Sequence, residues 1–72
     1  MNDAVHIPQY SKVKILTDRF LSVDGVGSGT VGYIIEIHHD DQGPAYEIEV
    51  TKPDGRTRAL VVARASEFEI VD

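Results

Sequence analysis

A chain of 72 residues with no cysteine forms one small domain without a disulfide or a thiolate metal site. Twelve acidic against seven basic side chains leave a net charge of −5, which repels polyanions at long range. Nucleic acid is therefore not expected as the main partner, and a protein with a basic surface fits better.

Met1–Tyr10 shows no periodicity, and Pro8 blocks a regular helix, so residues 1–10 read as an N-terminal arm ahead of a folded domain over 11–72. Ile7 and Tyr10 are its candidates for packing against that domain. The arm has neither a basic stretch nor a long apolar one, and no apolar run in the chain approaches the roughly 20 residues of a membrane span. A cytoplasmic protein with no membrane contact is expected.

Ser11–Leu16 is predicted as the first strand, with Val13 and Ile15 on one side and Lys12 and Lys14 on the other. Thr17–Gly29 is a long connection, of the length that is usually functional or carries structure of its own. Thr30–His39 is the most apolar strand. Its β-branched content argues against a helix, and Gly32 suggests a bulge or sharp bend. A polar turn, His39–Pro44, leads to a strand in which Tyr46, Ile48 and Val50 alternate with Glu47, Glu49 and Thr51.

Pro53-Asp54-Gly55 then turns the chain, with Pro53 pre-setting φ and Gly55 supplying a positive one. The returning strand admits two registers. A two-residue loop places Ile48 opposite Val61; a three-residue loop with a glycine bulge places it opposite Leu60. Proline at the second turn position favours the latter, so Leu60 and Val62 are expected inside, with Ala59 and Val61 on an apolar outer face. Arg64–Glu67 reads as one helical or 3₁₀ turn, and Phe68–Val71 as a short last strand. These elements predict an all-β protein: a small five-stranded SH3-like barrel with a long first loop and a single 3₁₀ turn before the last strand.

The segments VKIL and GSGTVGYIIEI resemble the opening of KOW and other SH3-like barrels, whose glycine precedes a strand of the form G-x-V-x-x-I. Gly29, Val31 and Ile34 stand at those positions. Across residues 12–71 the order GTV, AYEIEV, DGRT, ALVV and SEF is similar to a family of small stand-alone bacterial proteins of unknown function. That resemblance implies the same barrel and assigns no activity. SKVKIL also resembles the SH3-like accessory subunit of photosystem I, over the first strands alone. KOW domains often bind RNA or ribosomal partners through basic surfaces, from which this acidic chain departs.

Residues 27–32 match G-x-G-x-x-G, but a strand follows where dinucleotide binding needs a helix N-terminus, so no cofactor is expected. His38 and His39 precede Asp40 and Asp41, yet neighbours on a strand point to opposite faces, and His6 joins them only if the arm folds back. A solvated strand end is the simpler reading, with no metal. No spacing isolates a catalytic dyad, and a barrel this small leaves little room for a substrate, so an enzyme is not expected.

The candidate partner-binding residues are Asp18, Arg19, Phe20, Leu21 and Asp24 in the long loop, Glu36, Glu47 and Glu49 as an acidic patch on adjoining strands, and Val61 beside them. The expectation is a non-enzymatic protein-binding module, of the antitoxin, immunity or accessory-subunit kind. Two alternatives stand beside it. One is a KOW-like RNA or ribosome binder using Lys12, Lys14 and Arg19. The other is a homodimer that buries Ala59 and Val61.

Overall fold

The computed structural model describes residues 7–71, so His6 and its suggested return towards the other histidines lie outside the described residues. Five strands are present: β1 (Lys12–Ile15), β2 (Val31–Asp40), β3 (Gly43–Thr51), β4 (Thr57–Ala63) and β5 (Phe68–Ile70). A four-residue helix, α1 (Leu21–Asp24), interrupts the long connection, and a 3₁₀ turn, Ala65–Glu67, precedes β5. The strands form one antiparallel sheet in the order β4-β3-β2-β1-β5. The protein is all-β, as the alternation of its strands predicts.

β2 is shared by two neighbours. Its start pairs with β1 (Val13 with Gly32), and the rest pairs with β3 as far as Asp40 and Gly43. The sheet curls on itself, so that Tyr46 of β3 meets Phe68 of β5 edge-to-face with ring centroids 5.3 Å apart. Val13, Ile15, Ile34 and Ile48 fill the concave side and are completely buried. Each such side chain contributes about 1.5–3 kcal/mol relative to exposure.

The irregularity in β2 falls at Ile35, between the pairs Ile34–Ile48 and Glu36–Glu47, and not at Gly32. Gly32 serves close approach instead: a Cβ there would lie 2.6 Å from the carbonyl oxygen of Glu49 and 2.8 Å from Cγ2 of Ile48. The Ile35 bulge keeps Ile34 and Ile37 both on the core side while Glu36 faces out.

The turn at Pro53-Asp54-Gly55 forms as its chemistry predicts. Gly55 N donates to Lys52 O, Lys52 N donates to Arg56 O, and Gly55 has φ +90°. The register beyond it does not follow from the turn alone. Thr51 pairs with Thr57, but Val50 pairs with Ala59, so Arg58 is an extra residue bulged out of β4. That shift places Ile48 opposite Val61 and turns the strand over. Val61 is 3% exposed and Ala63 1%, whereas Leu60 and Val62, expected inside, are 48% and 51% exposed.

Ile7 of the N-terminal arm belongs to the core. The segment after it runs beside β2, with Tyr10 N donating to Ile34 O and Gln9 Nε2 to Ile35 O. The Tyr10 ring itself is exposed, contrary to its expected packing, and its backbone holds a left-handed φ of +73°.

Candidate functional site

The outward side of the sheet follows from these registers. One row runs from Leu60 on β4 through Glu49 on β3 and Tyr33 on β2 to Lys12 on β1. A second runs from Val62 through Glu47 to Glu36. The acidic patch expected from sequence therefore exists: Glu36 lies directly opposite Glu47, with Glu49 two residues further along β3. Like charges directly opposite on a ladder repel. His38 Nε2 stands 3.2 Å from Glu47 Oε1, and the Thr57 hydroxyl donates to Glu49.

The apolar neighbours of this patch are Leu60 and Val62, with Tyr33 across from Glu49. Val61, expected among them, faces the core, because the Arg58 bulge inverts β4. The same correction removes Ala59, which packs against the core, from any outer dimer surface. Side-chain volume carries a signal for this register. Small Ala63 stands opposite bulky Tyr46, and small Ala59 opposite Val50, a large-with-small pairing that fills the inner layer.

In the long loop, three of the five expected contact residues are engaged within the fold. Asp18 Oδ1 accepts from Ser28 N at 2.8 Å and braces the loop across its base. Arg19 forks onto Glu67, reaches Val62 O at 3.2 Å, and stacks over the Phe20 ring with its guanidinium carbon 4.3 Å from the centroid. Phe20 is buried and bridges to Val26, closing one end of the core. Leu21 is half exposed, and Val23, which sequence reasoning did not single out, is almost fully exposed. Asp24 is partly buried at the end of α1, where Gly25 takes a left-handed cap with φ +68°.

The loop lies along β4. Arg19 binds Val62 O just before α1, and Arg58 Nη2 donates to Gly25 O at 2.6 Å just after it. The chain from 19 to 25 thus runs antiparallel to β4, with Leu21 and Val23 between these two ties and Leu60 between their anchor points. Bulging Arg58 out of the ladder is what lets its side chain make this reach.

At the opposite end of β4, Arg64 lines a shallow depression together with Asp40, Asp41 and Gln42. Its guanidinium donates to Asp40 at 2.8 Å and to the carbonyls of Gly43 and Pro44, tying the β2–β3 turn to the start of the 3₁₀ turn. Hydrogen bonds from Arg64 and from the Gln42 amide hold the Asp40 carboxyl below its ordinary range. The Arg19 hydrogen bonds do the same for Glu67. His38 and His39 pair with Ala45 and Pro44 and point to opposite sides of β2. Among the described residues no three His, Asp or Glu side chains gather as a metal site. Residues 27–32 form a turn at Ser28–Gly29 that runs directly into β2. Among the described residues no helix is long and apolar enough to cross a membrane.

A family model described as a domain of unknown function (DUF4926) matches residues 7–70, and the chain belongs to that family. No curated protein and no solved structure matches the chain.

Proposed function

For this DUF4926 chain we propose a non-enzymatic, cytoplasmic protein-binding module built as an SH3-like barrel. The fold reading is supported by the strand order β4-β3-β2-β1-β5, the long first connection and the 3₁₀ turn before β5. The observation that carries the functional reading is the band of exposed aliphatic side chains shared by α1 and β4. Leu21, Val23, Leu60 and Val62 all remain at least half exposed or close to it, on elements tied together at both ends.

Solvated aliphatics held on a braced surface and flanked by Glu47, Glu36 and Asp24 suit a partner with an apolar centre and a basic rim. Such a partner gains area from the aliphatics and relieves the repulsion between Glu36 and Glu47. An accessory subunit or an antitoxin- or immunity-like protein works in this way. The RNA-binding alternative is weakened by its own residues: Arg19 is committed to Glu67, and Lys14 lies 3.2 Å from Glu69.

Affinity capture from native lysate tests the reading, with tagged wild type and the double variant Leu60→Asp/Val62→Asp side by side. A protein retained by the wild type at near-equal amount and lost from the variant supports it. Equal retention on both removes the α1–β4 band as the contact surface.

A further inference from the structure

We propose that the outer face of β1, β2 and β3 joins two copies of this chain, with Tyr33 at the two-fold axis and Lys12 of each copy set over Glu49 of the other. The argument begins at Tyr33, which is the one residue of β2 paired on both sides: with Lys12 across the β1 ladder and with Glu49 across the β3 ladder. All three face outward, because Val13, Ile34 and Ile48, beside them in their own strands, are buried. The ring is thus flanked by a cation on one side and a carboxylate on the other, each one strand spacing away, about 4.8 Å.

That order is self-complementary. A two-fold axis parallel to the strands through Tyr33 exchanges left and right, so the Lys12 side of one copy meets the Glu49 side of the other. Two equivalent ion pairs then flank a tyrosine pair, as an isologous interface requires. Val31, on the same face of β2 and paired with Lys14, is 42% exposed and extends the apolar centre along the axis. Tyrosine at the centre with charges at the rim is the usual composition of a small interface.

The β4 edge of the sheet offers no easier route to self-association. Arg19 occupies the Val62 carbonyl on the outer edge of β4, Arg58 is bulged out of the same strand, and the 19–25 segment lies alongside, all of which block edge-to-edge pairing. Within this row the charges select the pairing, since turning the second copy the other way would set Lys12 on Lys12 and Glu49 on Glu49, whereas the chosen one costs the approach of Glu36 to its copy further along the axis. The surface meets the α1–β4 band at Leu60, beside Glu49, and at its acidic flank, Glu36 and Glu47, so a dimer leaves Leu21 and Val23 of α1 accessible to another protein.

Sedimentation velocity on the full chain, from about 10 µM to about 1 mM, tests the proposal, since a contact this small is expected to give micromolar to millimolar affinity. Wild type should shift from monomer to dimer across that range. Lys12→Glu and Glu49→Lys should each weaken the dimer by about tenfold or more by placing like charges together. The double swap Lys12→Glu/Glu49→Lys should restore it. Tyr33→Lys should abolish it with an unchanged circular dichroism spectrum. Val23→Asp, on α1 and outside this row, should leave it intact, which separates failure of this proposal from failure of the α1–β4 reading. A wild type that stays monomeric at the highest concentration overturns the proposal. So does a dimer indifferent to the Lys12 and Glu49 swaps.

Discussion

Arg19 and Glu67, forty-eight residues apart in sequence, meet as a two-pronged pair, Nε to Oε2 at 2.5 Å and Nη2 to Oε1 at 2.7 Å. The same Glu67 oxygen that receives Nη2 also accepts the backbone N–H of Arg64 at 2.9 Å. One carboxylate therefore fastens the long loop to the 3₁₀ turn and orders that turn from within. The guanidinium adds a hold on β4 through Val62 O and covers Phe20. The long loop thus converges on this contact with β4 and the 3₁₀ turn, which lie far from it in sequence.

Replacing Arg19 by alanine should cost about 1 kcal/mol of stability, combining a partly exposed ion pair with an exposed cation–π contact. Arg19→Lys should recover less than half of that loss, because an ammonium cannot fork onto both oxygens while lying flat on Phe20. Urea unfolding of the three proteins checks both statements.

Acid should destabilise the protein in a defined direction. Asp40 and Glu67 ionise more readily in the fold than at their ordinary values of 3.8 and 4.5, through hydrogen bonds from Arg64 and Arg19 respectively. A depressed carboxyl contributes stability that is complete above its unfolded pKa and is lost as the pH falls through the folded one. The urea midpoint should accordingly hold steady from neutrality to about pH 5 and then decline. Glu67→Gln should start lower at neutral pH and decline less steeply, and parallel acid limbs would refute the assignment.

Gly32→Ala should be the most damaging of the glycine substitutions. Its Cβ would collide with the backbone carbonyl of Glu49, which cannot swing aside as a side chain could, at a cost of roughly 2–4 kcal/mol. At Gly55 the surroundings are open and the penalty is the positive φ alone, on the order of 1–2 kcal/mol. Thermal melts of the two variants give the ranking.

The register of β4 can be read from two alanine substitutions. Val61→Ala removes two buried methyl groups and should cost about 2 kcal/mol. Leu60→Ala, on the solvent side, should stay within about 0.5 kcal/mol of wild type. The reverse order would restore the register in which Ile48 faces Leu60.

That register marks where sequence reasoning stopped. The strands, the Pro53-Asp54-Gly55 turn and the 3₁₀ turn were legible, because alternation and turn chemistry are local properties. Tyr46, Ile48 and Val50 faced inward as their alternation required. In β4 both parities are apolar, so alternation was silent and turn geometry was the only guide. It was correct about the turn and blind to Arg58, whose displacement is compensated by the hydrogen bond to Gly25, thirty-three residues away. The same non-local bonding hid the role of the long loop. Asp18 and Arg19 look like solvent-facing charges in sequence, and they are structural because Ser28 and Glu67 are brought to them. Glu47 and Glu49 face outward as the alternation of β3 requires, whereas Glu36, of the same parity as buried Ile34, joins them only because the Ile35 bulge reverses β2 there.

Strand β1 lies between β2 and β5, pairing Val13 with Gly32 on one side and Ile70 on the other. During synthesis the ribosome delivers β1 through β4 before Phe68–Ile70. Until those residues emerge, one side of β1 is an open edge, and Tyr46 lacks the aromatic ring that meets it in the finished sheet. Folding of this sheet is therefore completed after translation of its last strand, and a nascent chain halted before Phe68 should remain sensitive to protease and prone to pair with other chains.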